Sequence, residues 1–342
     1  MKRVISLVVI LAMILSLSAC GQNNNTGDNA ESNKGNISQY PLTIIDQAGR
    51  EVTIEKEPER IVTSYYITSS LLIGLGLEHK VVGVENQAEK RPIYGLSAPE
   101  FLSLPAIGTV KELDIEGCVA LEPDLVILPM KLSGTVETLE SLGLTVMFVN
   151  PESQELLEEM ITLVGTATNT QDRAEALVGW IQDQKTFLET AADGVDAAKV
   201  YLAGNSNLLS TAGKAMYQSA MIDLAGGENV ANDIQDTYWA ETSYEQLLAW
   251  NPEYIILASN AEYTVEDVLN NPNLKECTAV KNGAVFQLPS DVEAWDSPVP
   301  STILGSIWLG AILNPEHVPD EKFEETMRDY YETFYEFSYG EN

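Results

Sequence analysis

Two stretches of the chain repeat one local pattern. Leu121-Glu122-Pro123-Asp124-Leu125-Val126-Ile127-Leu128 and Trp250-Asn251-Pro252-Glu253-Tyr254-Ile255-Ile256-Leu257 each follow a helical segment, turn through a proline and an acid, and run into an apolar strand. Apolar strands of this kind belong to sheets covered on both faces, which means parallel strands with helices on either side. Strands and helices alternate around both stretches. In the first half, residues 42–46 and 51–54 flank Gln47-Ala48-Gly49-Arg50 as a hairpin. Strands follow at 60–63, 81–84, 125–128 and 144–149, with helices at 69–77, 115–121 and 136–142. Residues 153–192 give no strand signal. Leu156, Leu157, Met160, Ile161 and Val164 are spaced as one helix, and residues 171–190 as a second, about 30 Å long. The alternation then restarts, with strands at 199–203, 254–258 and 284–288. Helices are expected at 217–225, 244–249, 265–269, 274–279 and 302–313, and an amphipathic helix at 323–337. The expected fold is α/β, with two Rossmann-like lobes whose central sheets are mostly parallel, joined by a single long backbone helix. The lobes are assigned to residues 41–168 and 194–342, the second carrying the terminal helix, and the interlobe helix to 169–193.

The N-terminus reads as an address. Lys2 and Arg3 precede the apolar run from Val4 to Leu17, and Leu17-Ser18-Ala19-Cys20 follows. Residues 1–19 thus have the form of a secretory signal peptide. A site ending in Cys resembles a bacterial lipobox, which implies cleavage before Cys20 and lipidation of its sulfur. Residues 20–40 are rich in Asn, Gly and Ser and read as a flexible tether. The expected location is extracytoplasmic, with a lipid anchor in the cell membrane.

Composition narrows the partners. Among 342 residues, 19 Lys and Arg stand against 51 Asp and Glu, a net charge of −32. Such a chain has no basic footprint for nucleic acid. Two His and three Cys exclude a His-rich metal cluster. The sequence holds no G-x-S-x-G elbow, G-x-G-x-x-G turn, P-loop or H-E-x-x-H. Neither an enzyme nor a resident cofactor is expected, and a surface hydrolase is the remote alternative. Cys118 and Cys277 lie in different halves and are read as two separate buried thiols.

In open α/β sheets, ligands bind beyond the carboxyl ends of the strands. That rule selects Tyr65 and Tyr66, then Arg91, then Lys131 in the first half. In the second half it selects Ser210, Thr211, Lys214 and Tyr217, then Trp239 within the segment 237–239, then Trp295 and Asp296. Tyr and Trp offer broad apolar faces with one polar atom each, which suits a bulky, partly apolar chelate. With so few cations, a neutral or cationic chelate fits more easily than a polyanionic one. An oxyanion could bind at the Ser210-Thr211-Ala212-Gly213 loop before a helix.

Motif order makes the chain resemble the class III substrate-binding proteins of ABC importers, which carry ferric siderophores, haem, vitamin B12, and molybdate or tungstate. The resemblance rests on Pro58-Glu59-Arg60-Ile61-Val62, Ile107-Gly108, Ile115-Glu116 and the Leu121–Ile127 run. Further along come Ala174-Glu175-Ala176-Leu177, Ala225-Gly226-Gly227-Glu228-Asn229-Val230 and Thr242-Ser243-Tyr244-Glu245-Gln246-Leu247-Leu248. It implies a monomer that captures an iron(III)-siderophore-type metal chelate in the interlobe cleft. A corrinoid, haem, or molybdate or tungstate is the alternative cargo. It also implies delivery to an ABC permease dimer with its ATPase, with Glu116 and Glu245 docking on permease arginines. The family's second-lobe aromatic positions fall on Trp239 and Trp295, and Lys131 lies in a first-lobe loop where the family can carry an aromatic. The helix after the first strand often carries an acid in this family, and here reads Thr68-Ser69-Ser70.

Overall fold

A hairpin opens the fold, β1 (Leu42–Ile45) against β2 (Glu51–Ile54). Asp46, buried at its turn, accepts the N–H groups of Ala48 and Arg50, and its other oxygen accepts the Phe148 N–H at 3.2 Å. The hairpin is thereby fastened to the edge of the first sheet. The structure is a computed structural model that describes residues 39–235 and 239–340. The leader, Cys20 and most of the tether lie outside these residues, as do Thr237 and Tyr238.

The first sheet holds β3 (Ile61–Thr63), β4 (Val81–Gly83), β5 (Leu125–Pro129) and β6 (Val146–Val149). All pairs are parallel, in the spatial order β4-β3-β5-β6. Its helices are α1 (Tyr66–Gly74), α2 (Pro92–Ser97), α3 (Ile115–Ala120) and α4 (Val136–Ser141). α1 starts three residues earlier than the sequence pattern indicates, because its Tyr- and Thr-containing first turn is buried by other parts of the chain. It ends as expected at Gly76, whose φ of +72° and N–H bond to Ile73 close the helix.

Two helices follow, α5 (Gln154–Ala167) and the 22-residue α6 (Gln171–Ala192). The second sheet contains β7 (Ala198–Ala203), β8 (Ser210–Thr211), β9 (Gly227–Asn229), β10 (Ala240–Glu241), β11 (Tyr254–Leu257) and β12 (Val285–Gln287). Its order is β10-β8-β7-β11-β12, with β9 alongside the start of β7. β9, β7, β11 and β12 run parallel, while β8 and β10 form an antiparallel edge. The helices are α7 (Tyr217–Leu224), α8 (Tyr244–Trp250), α9 (Val265–Leu269), α10 (Thr278–Asn282), α11 (Ile303–Leu313) and α12 (Asp320–Tyr335). The expected helix at 274–279 is split. A 3-10 turn over Pro272–Leu274 precedes α10, whose start is fixed by the Asn251 side chain accepting the Thr278 N–H at 2.9 Å.

The repeated sequence pattern has a repeated structural cause. α3 and α8 both end before a residue in the left-handed region, Glu122 (φ +47°) and Asn251 (φ +45°). The following proline prevents a further helical turn. The acid after it then binds the backbone beside the next strand. Asp124 accepts the Glu59 N–H at 3.0 Å and Glu253 accepts the Lys199 N–H at 2.9 Å.

Packing does not divide where the sheets do. One apolar cluster runs from Ile61, Leu71 and Ile127 through Leu177 and Ile181 to Trp295, Ile303, Tyr330 and Tyr335. The described residues form one compact unit. The terminal helix α12, placed with the second lobe from sequence, reaches the first: the Tyr335 hydroxyl donates to the Ser70 carbonyl at 3.2 Å. Cys118 and Cys277 are free, buried thiols in separate apolar clusters.

Candidate binding cleft

In the first sheet the chain leaves β3 toward β4 on one side and later fills β5 and β6 on the other. β3 is therefore the topological switch point, where an open α/β sheet leaves a crevice at its carboxyl end. Tyr65, Tyr66 and Ile67 follow β3 and line a cleft of about 670 Å³. The carboxyl ends of β5 and β6 add Met130, Lys131, Asn150 and Glu152. The facing wall comes from the second sheet's loops, chiefly Ala215 to Gln218 at the start of α7, with Trp239 and Pro298.

The walls are aromatic and hold two charges, Lys131 and Glu152. The rings of Tyr65 and Tyr66 meet edge to face at 5.8 Å. Burial pushes the phenols of Tyr65, Tyr66 and Tyr217 up, so all three are neutral hydroxyl groups at physiological pH. The Tyr217 hydroxyl donates to the Gln154 side chain at 2.6 Å and ties α7 to α5 beside the cleft. The N-cap residues of α1 and α7, Tyr65 and Met216, place no side chain on their helices. Two uncapped helix N-termini, each with unpaired N–H groups and a positive dipole end, thus line the cleft from opposite walls.

Of the residues singled out from sequence, Tyr65, Tyr66, Lys131, Tyr217 and the half-buried Trp239 meet in this cleft. Others are placed elsewhere. Ser210 and Thr211 form the buried strand β8, paired between β10 and β7, and the Thr211 hydroxyl is committed to the Leu202 carbonyl at 2.8 Å. Lys214 is exposed and is not part of the cleft wall. Trp295 is 2% exposed; its ring packs edge-on against Phe323 of α12 and its indole N–H donates to the Tyr331 hydroxyl at 3.0 Å. It is a core anchor. Asp296 is buried and accepts the Ser259 N–H at 2.9 Å; its carbonyl accepts the side chain of Gln218, which does line the cleft. Asp296 therefore positions the wall from behind. Arg91 lies in a smaller cavity beyond Tyr66.

Glu152 was missed by the sequence reading. The signal was available, since it lies three residues beyond β6 and the strand-end rule that selected Lys131 applies to it equally. Glu116 and Glu245 are both exposed and occupy the same place in the two halves, the second residue of a helix whose N-cap side chain is engaged. Asp114 accepts the Gly117 N–H and Ser243 the Gln246 N–H. Among the described residues no group of three His, Cys, Asp or Glu side chains could hold a metal ion, and no helix is long and apolar enough to cross a membrane.

Comparison with known proteins agrees with this geometry. The family model described as periplasmic binding protein matches residues 61–292. The molybdate-binding protein MolA of Haemophilus influenzae is 26% identical over 323 residues, covering 86% of this chain and 91% of its own. The petrobactin-binding protein YclQ of Bacillus subtilis is 21% identical over 300 residues, covering 85% and 92%. Among solved structures, a periplasmic solute binding protein from Veillonella parvula superimposes with a TM-score of 0.77 at 25% identity, covering 88% of this chain and 94% of that one.

Proposed function

The chain belongs to the periplasmic binding protein family, and from that premise we propose that it is the substrate-binding component of an ABC importer. It captures a bulky, weakly charged metal chelate of the iron(III)-siderophore type in the cleft and hands it to a permease. The observation that carries the choice of cargo is the cleft itself: about 670 Å³, walled by Tyr65, Tyr66, Tyr217 and Trp239, with Lys131 opposed by Glu152. A near-neutral aromatic site of that size matches the partly apolar surface of a chelate. The petrobactin-binding relative supports this reading. In the same proposal the protein acts outside the cytoplasm, tethered through lipidated Cys20, and works as a monomer without a cofactor of its own.

One observation favours a second cargo. The two uncapped helix N-termini facing each other across the cleft could hold a tetrahedral oxyanion with few cations, and MolA is named for molybdate. Quenching of the tryptophan fluorescence, lost in Trp239→Phe if it reports the cleft, decides between them together with native mass spectrometry. Saturable binding of a neutral ferric trihydroxamate with no response to molybdate is the expected result. Saturable binding of molybdate alone would establish the oxyanion, and binding of neither would overturn both.

A further inference from the structure

A second cavity, of about 50 Å³, lies behind Tyr66. Ser70 of α1 and Arg91 at the start of α2 form one side, and Asn260, Ser290 and Glu293 from the second sheet's loops form the other. Tyr66 faces both this cavity and the main cleft.

Arg91 stands apart from the other half-buried arginines among the described residues, Arg50 and Arg173; Arg328 is exposed. Arg50 pairs with Asp46 and Glu140. Arg60 and Arg173 donate to backbone carbonyls. The Arg91 guanidinium lies 4.0 Å from the centre of the Tyr66 ring, and its Nε–H is buried without an acceptor. No carboxylate among the described residues comes within ion-pair distance of it. Glu293, across the cavity, has both oxygens engaged, accepting from Ser70 at 2.5 Å and from Ser301 at 2.6 Å. Burial also pushes the Glu293 carboxyl up, toward the form that carries no charge. A part-buried cation with an open donor is costly unless something completes it. Lys90 adds a second positive charge to the same wall.

We infer that this cavity is a subsite for a carboxylate, bound by the Arg91 guanidinium behind the Tyr66 ring. The planar fork of an arginine, held flat by the aromatic face beneath it, matches a carboxylate in shape and charge. The volume admits one such group and excludes a whole chelate. The occupant is either a free small carboxylate or an acidic arm of the cleft ligand reaching past Tyr66. Only the second source rests on the function proposed above.

The intact chain is titrated with sodium acetate against sodium chloride at equal ionic strength, and thermal unfolding is followed. A saturable rise in Tm is expected in acetate, absent in Arg91→Gln, weakened in Arg91→Lys and retained in Lys131→Gln. Arg91→Lys keeps the charge and guards against a Gln variant that fails to fold. An equal response from wild type and both Arg91 variants, or the same response to chloride, overturns the subsite. The source is then read by competition. Acetate displacing ferric citrate but not the neutral ferrioxamine E identifies the arm, with affinity for ferric citrate at least tenfold weaker in Arg91→Gln. Acetate stabilising the protein without displacing either identifies the free anion. If neither chelate binds while the acetate effect stands, the cleft reading fails and the subsite remains.

Discussion

Asp124 and Glu253 do the same work in the two halves. Each donates its own N–H to the residue whose neighbourhood its carboxylate holds: Asp124 to the Arg60 carbonyl and Glu253 to the Lys199 carbonyl, both at 2.8 Å. Replacing either acid by Ala should cost about 1 kcal/mol, the usual worth of one such bond, read as a lower urea midpoint at unchanged slope. A midpoint that does not move would leave the carboxylates without a structural role. The repeated turn was legible in sequence because the helix end, the proline and the acid are adjacent, but the N–H groups the two acids accept, 65 and 54 residues away, were not. Glu293 was not legible, since its partner Ser70 lies 223 residues away. Its pH behaviour follows from burial. The carboxyl is raised above its ordinary 4.5, so the folded state favours the protonated form. Its contribution to stability is complete below about 4.5 and is lost as pH rises through the raised value. Glu293→Gln should therefore flatten that part of the Tm-against-pH curve relative to wild type; superimposable curves would refute it.

At the scale of elements, most strands and helices were readable from alternation and helical spacing. The misplacements share a cause, which is tertiary covering that local pattern does not encode. Trp295 follows the last strand as a cleft residue would, but α12 lies over it. Ser210 and Thr211 read as loop hydroxyls and are drawn into a short antiparallel strand between β7 and β10. Arg173 shows how α12 is held. From α6 it donates at 2.7 Å to the Gly74 carbonyl at the end of α1 and at 2.9 Å to the Phe334 carbonyl near the end of α12. One cation thus serves the negative ends of two helices. Arg173→Ala should lower stability by about 2 kcal/mol. Amide exchange should accelerate first in the last turn of α12; uniform acceleration across the chain would argue against a local strap.

For the whole molecule, α6 and α12 both cross between the sheets, and one apolar cluster fills the space between. Two crossings resist a hinge better than one, so scattering profiles of free and loaded protein should superimpose; a marked compaction on loading would contradict this. Docking belongs to the same scale. Exchanging Glu116 and Glu245 together for Arg should reduce uptake while leaving affinity in solution unchanged, because both side chains are exposed on capped helix starts outside the cleft. Equal uptake would remove them from the permease contact. The reach of α12 also has a consequence for biosynthesis. The first lobe's α1 receives Tyr335 from α12, so the N-terminal half cannot complete its core until that helix has been made. A chain still lacking that helix leaves Trp180 of α6 and Ser70 of α1 without the tyrosines that pack against them.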